Sequence, residues 1–424
     1  MVWWMMILCM VWNRNISTRA EEKESCYHES LPEDYEGTLT MWGWDEKYFT
    51  TITQAFQEKY KNVTFEYTEV DGAKLLQKYE VALLTGKELP DIGWAMIDYR
   101  GEMFELDMWE HLEEAPYGMS LNQVYEYLHP RMVNSKGNIC GIEQSLSPVA
   151  LMYRKDLAKK YLGTDDPEEL ETMLSDWDSF IEKGKEVQQK SKGNVYIFFG
   201  SNDILKIVQS QQKEVWVDEK TINAEKTFGK TLDLMCRFRD ENTADGSAAY
   251  WRKSEGERKH IFTPSTFWSV KLMEPLDESE KGQWGLIPIP EGSVSWGGTA
   301  MGITKGCKDK RLAWEFLKFA TLSSEGAKAL NKIGLMTAAK QPYEENPMLA
   351  SYKSDLFEEE DMGIYLMEEI VPDIKGQSLK KADMVIQERL DLILSVIAND
   401  FTVTAEDAMK MLKKELQEAG ISTE

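Results

Sequence analysis

A regular alternation of strand-like and helix-like segments begins at Gly37. The segments are, in order, a strand at 37–42, a helix at 47–61, a strand at 63–70, a helix at 73–84 and a strand at 92–97. Apolar side chains in the first helix recur at i, i+3 and i+4 spacing, as a helix that buries one face requires. Strands that alternate with helices over about 60 residues favour a mainly parallel sheet covered by helices. We therefore predict an α/β fold.

A second alternating region follows Gly141, and the C-terminal part of the chain reads as mostly helical. Residues 284–290 contain two prolines, which exclude a helix and predict an extended segment. The other predicted strands are 149–153, 195–199 and 260–266. The other predicted helices are 156–162, one that begins at 175–180, 221–239, 267–273, 309–321, 323–333, 360–371, 379–398 and 404–419.

Charge and motif content exclude several classes of function. The 424 residues include 49 Lys and Arg against 73 Asp and Glu, a formal net charge of −24. Such a chain repels polyphosphate, so nucleic acid is not an expected partner. The sequence has no phosphate-binding loop, no dinucleotide fingerprint after the first strand and no nucleophile elbow. Its five cysteines and four histidines lack the spacing of metal ligands, so we expect no metal and no cofactor.

The N-terminus leaves two interpretations open. Residues 1–12 are apolar throughout, but a membrane span needs about 20 residues, and a secretory signal carries a basic residue before its apolar run. One interpretation is a remnant of a signal peptide or lipid anchor, with Cys9 as the lipid acceptor, followed by an acidic tether at 21–36. The other is an apolar N-terminal strand or helix. We expect membrane association only through an anchor of this kind.

Tryptophan is abundant, with 14 copies, and several copies lie where an α/β sheet binds ligands. Ligands of open α/β sheets gather beyond the carboxyl ends of the strands. Trp44 and Asp45 follow the first strand, and Trp94 and Asp98 lie at the end of the third. An indole stacks on the C–H face of a sugar while carboxylates and amides bind its hydroxyls. Core packing is the alternative for each tryptophan, and helix capping is the alternative for both aspartates.

The tryptophans accordingly divide into two predicted sets. The candidate pocket set is Trp44, Trp94, Trp268 and Trp296, and the expected core set is Trp42, Trp109, Trp177 and Trp314.

Five stretches between residues 37 and 345 occur in a characteristic order. They are GTLTMWGWDEKYFTTITQAFQEKY, LLTGKELPDIGWAMIDYRGEMFEL, GNICGIEQSLSPVALMYRKDLAKKYLG, SDWDSFIEKGKEV and the run from GQWGLIPIPEGS to GLMTAAKQ. Together they resemble the extracellular solute-binding proteins of ABC transporters, in particular the sugar-binding family that includes maltose-binding protein. The chain departs from the family pattern at Cys140, Glu143 and Arg154, and at Thr337 or Ala338.

The resemblance implies a two-lobed fold of the periplasmic-binding-protein type, in which each lobe is a mainly parallel sheet flanked by helices and the C-terminus is helical. Ligand would bind between the lobes and favour a closed state by contacts with both walls. The implied boundaries are 37–143 plus 284–335 for lobe one, 149–280 plus 338–424 for lobe two, and 144–148, 281–283 and 336–337 for the hinge.

The resemblance also implies a function and a set of ligand-binding residues. The implied function is capture of a carbohydrate, an oligosaccharide by expectation, and its delivery to ABC permease subunits by a monomeric extracytoplasmic protein without catalytic groups. The implied ligand-binding residues are Trp44, Asp45, Trp94, Asp98, Gln144, Ser147, Asn202, Trp268, Trp296 and Gly298.

Three alternatives stay open from the sequence. Abundant carboxylates leave room for a secreted carbohydrate-active enzyme that uses a carboxylate pair. The solute can also be a peptide or a polyamine. The third alternative is a structural or regulatory relic of the binding fold.

Overall fold

The computed structural model of the chain describes residues 27, 29–218, 220–244, 260–273, 280–358 and 360–424. The predictions for residues 1–12 and for Cys9 lie outside these ranges. The strands are β1 Gly37–Gly43, β2 Val63–Glu69, β3 Ile92–Met96, β4 Ile142–Glu143, β5 Pro148–Arg154, β6 Tyr196–Phe198, β7 Thr221–Ile222, β8 His260–Ser265, β9 Trp284–Ile287, β10 Val294–Ser295, β11 Thr299–Ile303 and β12 Ser422–Thr423.

The predicted helical C-terminus is confirmed, as are the two helices of the first alternating region. The α-helices are α1 Glu46–Lys59, α2 Gly72–Thr85, α3 Ile97–Met103, α4 Lys155–Tyr161, α5 Pro167–Met173, α6 Trp177–Ser191, α7 Ser201–Gln211, α8 Ala224–Asp240, α9 Phe267–Met273, α10 Lys310–Leu322, α11 Ser324–Asn331, α12 Gln341–Glu345, α13 Met362–Tyr365, α14 Asp383–Asn399 and α15 Ala405–Glu418. None of the helices in the described part of the chain combines the length and apolar character that crossing a membrane requires.

The first sheet has the strand order β2-β1-β3-β11-β4. Strand β1 pairs in parallel with β2 and β3, as the alternating pattern predicts. Strand β11 runs antiparallel between β3 and β4, although it follows them late in the chain. Its insertion was not predicted, because strand pairing over such a sequence distance leaves no local pattern.

The second sheet is organised around β5. Strands β8, β9 and β10 pair antiparallel to β5, and β6 pairs in parallel with β8. Four strands of each sheet share one direction, but two of the four pairs in the first sheet and one of the four in the second are parallel, so the sheets are mixed where mainly parallel ones were expected. The reversed strand is β11 in the first sheet and β5 in the second, so most hydrogen-bonded pairs of the second sheet are antiparallel.

Three apolar cores stabilise this arrangement by removing apolar surface from water. The first core includes Phe56 on α1 and Phe316 on α10, with ring centroids 5.3 Å apart. The second packs Phe180 on α6 against Phe262 on β8 at 5.5 Å. The third joins α8, α14 and α15 and also includes Ile222 of β7.

The chain crosses between the sheets at segments that hydrogen-bond to one another. The amide of Leu146 donates to the carbonyl of Met336 at 2.7 Å, and the amide of Trp296 donates to the carbonyl of Ser147 at 2.9 Å. The predicted hinge segments at 144–148 and 336–337 therefore lie side by side. The third crossing is 296–298, between β10 in the second sheet and β11 in the first.

The predicted crossing at 281–283 is wrong. Strand β9 begins at Trp284 and pairs along β5, so the chain is already within the second sheet at that point. The amide of Lys155 donates to the carbonyl of Gln283 at 2.9 Å, which places this segment beyond the end of β5 that is remote from the crossings. The expected lobe-one segment 284–335 therefore begins only after β10.

A C-terminal strap, residues 376–382, contacts both lobes. The side-chain amide of Gln377 donates to the carbonyl of Ser210 at the end of α7, and Lys381 pairs with Glu102 on α3 at 3.3 Å. The backbone of Lys380 lies directly against Gly101, where an added Cβ would come within 2.2 Å of the Lys380 oxygen. Close approach of the strap to α3 thus depends on the missing side chain of Gly101.

Candidate functional site

Of the two predicted site residues after β1, Asp45 caps a helix and Trp44 is partly exposed at the surface. Asp45 is the N-cap of α1, where its Oδ1 accepts a hydrogen bond from the amide of Tyr48 at 2.9 Å. The capping alternative is therefore shown for Asp45. Trp44 is half-buried and meets Trp94 edge to face, with ring centroids 5.3 Å apart.

The expected pocket position of Trp94 is wrong in this structure. The side chain is 0% exposed and lies in the first core, beneath Trp44 and against Tyr48. A pleated strand alternates its side chains between two faces, and β3 is covered on both, so the end of the strand does not open toward ligand. Core packing is the role that the structure gives to Trp94.

Asp98 lies in the first turn of α3, immediately after the carboxyl end of β3. Its side chain is exposed, yet the surrounding protein raises its pKa by desolvation. Lys206 and Arg100 act in the opposite direction, and Asp391 on α14 adds to the rise. Asp98 therefore interacts electrostatically with Lys206 on α7, Ser201–Gln211, as well as with groups on its own helix and on α14. The helix cap that was the alternative for Asp98 is not observed, because the N-cap of α3 is Met96.

Helix α7 supplies the facing wall from lobe two. Asp203 and Lys206 are three residues apart and therefore neighbours on one helix face. Burial raises the pKa of Asp203 to about 6, and Lys206 opposes the rise. The Lys206 ammonium also lies 5.9 Å from the ring centroid of Trp296, within the range of a cation–π contact. We call the space around Asp98, Asp203, Lys206, Trp268 and Trp296 the interlobe cleft.

Two of the predicted tryptophans meet in the interlobe cleft. Trp268 is the second residue of α9, and Trp296 lies in the crossing at 296–298. Both are half-buried, and their rings meet edge to face with centroids 6.1 Å apart. Partial exposure leaves part of each ring open to solvent, as an aromatic stacking platform requires.

Gln144 and Ser147, predicted on the hinge segment, lie at the crossings with Gly298, which was predicted in the loop before a lobe-one strand. Gln144 donates its amide to the carbonyl of Thr299 at 2.7 Å, and its buried Nε2 has no hydrogen-bond partner. The carbonyl of Gly298 accepts from the amide of Ile97 at 3.0 Å, which ties the crossing to α3. Gly298 has φ +139°, and an added Cβ would lie 3.1 Å from a carboxylate oxygen of Glu143. Glycine is required there for both reasons.

The structure thus brings Asp98, Trp268, Trp296, Gly298, Gln144 and Ser147 toward one region around the crossings. Asn202 lies at the start of α7, but its side chain is outside the described part of the structure.

The tryptophans expected in the core include three that are buried in the described cores. Trp109, Trp177 and Trp314 are at most 3% exposed. Trp42 is half-buried and stacks on Tyr79 with centroids 5.7 Å apart, so it lies at the edge of the first core.

Two surface features lie away from the cleft. A pocket of about 440 Å³ opens beside Gln283 and Asp355, at the edge of the second sheet remote from the crossings. His111, Glu113 and Glu114 place possible metal-ligand atoms within 4.8 Å of one another. Glu113 already accepts hydrogen bonds from the side chain of Asn138 and the amide of Ile139, so this cluster is explained by local structure.

Sequence reasoning missed the α7 wall and a buried ion pair. Ile204, Ile207 and Val208 have the spacing of a buried helix face. This spacing could have predicted both the helix α7 and the polar face on its other side. The ion pair joins Arg100 to Glu143 over 43 residues, with Nη–Oε distances of 2.5 and 3.1 Å. No local pattern reveals a pair of this separation.

Comparison with known proteins gives a consistent relationship. The family described as "Bacterial extracellular solute-binding protein" matches residues 51–355. The lactose-binding protein of Rhizobium radiobacter is 22% identical over 317 residues, covering 70% of this chain and 71% of that protein. The arabinooligosaccharide-binding protein of Bacillus subtilis (strain 168) is 23% identical over 318 residues, covering 70% and 71% respectively.

A solved structure extends the match to almost the whole chain. The galacto-N-biose-/lacto-N-biose I-binding protein of the ABC transporter from Bifidobacterium longum superposes with a TM-score of 0.72 at 16% identity, covering 92% of this chain and 99% of that one. This likeness shows the two-lobed fold. With the family match over residues 51–355, it follows that the chain belongs to the bacterial extracellular solute-binding proteins.

Proposed function

We propose that the protein captures a saccharide in the interlobe cleft and delivers it to the permease of an ABC importer. The observation that carries the proposal is the meeting of Trp268 and Trp296, half-buried and 6.1 Å apart, close to Lys206, which also interacts electrostatically with Asp98. Indole faces and polar groups in one concave site suit the two kinds of surface on a sugar ring. The names of the two relatives support the same ligand class.

The charges of the cleft favour a neutral saccharide. Asp98, Asp203 and Asp391 carry negative charge near Lys206, and the whole chain has a net charge of −24. An acidic sugar would be repelled by this field, whereas neutral hydroxyls can donate hydrogen bonds to the carboxylates. We infer an oligosaccharide as the solute because the site offers two neighbouring, half-buried indole rings and because the relatives include an arabinooligosaccharide-binding protein.

Family membership supports an extracytoplasmic location. We further propose that the protein acts as a monomer and is held at the cell surface through its apolar N-terminus. Mass spectrometry of the protein isolated from its native membrane checks this attachment, since a lipid on Cys9 adds a defined mass.

The central test titrates the purified protein with a panel of neutral mono- and oligosaccharides, followed by tryptophan fluorescence and calorimetry. Saturable binding of one member supports the proposal. Binding of peptides or polyamines in place of every sugar contradicts the ligand class. Release of product from a chromogenic glycoside, abolished by Asp98→Asn, would assign an enzyme instead.

A further inference from the structure

Two arginines and one glutamate form a buried cluster next to the crossings. Arg100, Arg131 and Glu143 are 0%, 5% and 1% exposed. Arg100 donates from both terminal nitrogens to the two carboxylate oxygens of Glu143, at 2.5 and 3.1 Å. Charges at this depth persist when their geometry and hydrogen bonding are good, and loss of one partner leaves the other uncompensated.

The guanidinium of Arg100 is fixed on several sides. Its Nε donates to the carbonyl of Ala95 near the end of β3 at 3.1 Å, and Nη1 also reaches the carbonyl of Arg131 at 3.3 Å. Arg100 lies two residues after Asp98 on α3. A planar fork that is held by β3 and by Glu143 on β4 therefore restricts the short helix that carries Asp98.

Glu143 connects this helix to the crossings. It directly precedes Gln144, whose amide bonds to Thr299, and its carboxylate lies against Gly298. The carbonyl of Gly298 in turn accepts from Ile97 in the first turn of α3. Helix α3 is thus joined to the crossing at 296–298 twice: through the ion pair of Arg100 with Glu143, and through the hydrogen bond from Ile97 to Gly298.

Arg131 extends the cluster to the second sheet. Its Nη1 donates to Oγ of Ser295 at 3.1 Å, and Ser295 pairs with Pro148 at the start of β5. Arg131 therefore joins the same buried charges to the segment that leads into Trp296.

We propose that Arg100 and Glu143 are positioning residues: their ion pair fixes the helix bearing Asp98 against the crossings at 144–147 and 296–298, and so sets the cleft for ligand. The ligand part of this inference rests on the function proposed above. Neither residue contacts the ligand, and their effect on binding passes through Asp98 and the crossing that bears Trp296.

The test compares Arg100→Lys with a matched exposed control. Lysine retains the charge but loses the two-pronged geometry. Arg154 makes a similar two-pronged contact to Asp156, at 2.9 and 3.0 Å, on the surface of lobe two, so Arg154→Lys repeats the chemical change away from the cleft. Hydrogen exchange of the ligand-free proteins is measured first, and saccharide affinity second.

For Arg100→Lys we expect exchange at 96–104 and at 295–300 to rise by about tenfold or more, since the hydrogen bonds there lose their common anchor. The midpoint of global unfolding should fall, since a buried charge pair loses hydrogen bonds, but exchange elsewhere in the first sheet should rise far less than in these two segments. Saccharide affinity should fall by about tenfold. Arg154→Lys should change none of these quantities.

Unchanged exchange in both segments of Arg100→Lys would overturn the proposal whatever the wild-type protein binds. Uniformly faster exchange across lobe one would also overturn it, because that result assigns the pair a general structural role. If Arg100→Lys does not fold, Glu143→Asp, which retains the negative charge but shortens the side chain by one methylene, takes its place with the same expectations. Faster local exchange in a protein that binds no saccharide would support the positioning role and contradict the proposed sugar ligand.

Discussion

The indole rings of Trp268 and Trp296 meet edge to face with their centroids 6.1 Å apart, although 28 positions separate them in the chain. Trp268 belongs to α9 of lobe two, whereas Trp296 lies in a segment that crosses between the lobes. A ligand that stacks on both rings would therefore contact a lobe and the hinge together. That geometry gives ligand binding a direct means of favouring one interlobe arrangement.

Replacement of Trp268 by alanine should weaken saccharide binding by about 1–3 kcal/mol, the range of a stacked aromatic at the centre of a binding site. Calorimetry with the best ligand of the panel measures the change. Trp216→Ala is the matched control, because Trp216 is also half-buried but contacts Lys380 of the strap at 4.2 Å. An unchanged affinity in folded Trp268→Ala would remove Trp268 from the binding site.

Replacement of Asp98 by asparagine should weaken binding by about 1.5–3 kcal/mol, as loss of a hydrogen bond to a charged group does. Stability should not fall, because desolvation raises the pKa of Asp98 in the folded protein and thus disfavours its charged form. Urea unfolding and calorimetry measure the two quantities. Reduced stability with unaltered affinity would show that Asp98 serves the fold and not the ligand.

For Asp45 we expect the opposite of Asp98: substitution should lower stability and leave saccharide affinity unchanged. As the N-cap of α1 it accepts from the amide of Tyr48, so Asp45→Ala should lower the free energy of unfolding by about 1 kcal/mol. Asparagine is an equally good N-cap, and Asp45→Asn should retain most of the stability. If both variants bind saccharide like the wild type, the residue has no ligand role. Loss of affinity in Asp45→Asn, which retains the cap, would restore Asp45 to the predicted site.

Asp203 predicts a pH dependence of stability. Its pKa is about 6 in the folded protein and about 3.9 in an unfolded chain, so the folded state binds the proton more tightly. The contribution of this group is therefore fully present below about pH 4 and is lost as the pH rises toward 6. Asp203→Asn should raise the free energy of unfolding at pH 7.5 by about 1–2 kcal/mol, after allowance for its partial exposure.

The check for Asp203 is a series of urea unfolding curves from pH 4 to 8 for both proteins. The difference between them should shrink below pH 6 and be small at pH 4, where the folded wild-type carboxyl is protonated and the unfolded one is about half protonated. A constant difference across this range would contradict the assigned environment of Asp203.

Gly101 and Gly229 form a matched pair of helical glycines. Alanine is usually the better helix residue by about 1 kcal/mol, and at Gly229 on α8 an added Cβ meets no atom within 4 Å. Gly229→Ala should therefore stabilise the protein by about 0.5–1 kcal/mol. At Gly101 the Cβ would lie 2.2 Å from the Lys380 oxygen, so Gly101→Ala should destabilise it by about 1–3 kcal/mol. Thermal unfolding of the two variants distinguishes these signs, and equal shifts would show that the strap yields easily.

The parts of the fold that the sequence predicted are those with local periodicity. The i, i+3, i+4 spacing around Phe56 identified α1, and the alternation in 63–70 identified β2, because burial of one face repeats at the period of the element. Strand β11 and the crossing at 296–298 have no such signal. Their places depend on pairing with segments far away in the chain, such as Thr299 with Met96.

The candidate site shows the same division. Trp268, Trp296 and Asp98 were predicted from their neighbourhood in the sequence, and they lie around the interlobe cleft. Trp94 has an equally suggestive neighbourhood, but the packing of Trp44 and Tyr48 over β3 buries it. Whether an indole faces ligand or core depends on what covers the strand, and that covering is set by tertiary structure.

The central pairing of the first sheet also governs when this chain can fold. Strand β3 has β11 as a neighbour, and the two lie roughly 200 residues apart in sequence. During synthesis, a polypeptide that ends before Ile303 lacks part of β11, the strand that joins β3 to β4. Its first sheet is therefore incomplete. Much of the chain must be synthesised before its earliest strands reach a stable state. The order in which the strands are synthesised therefore differs from the order in which they pair, and the first sheet is completed late in synthesis.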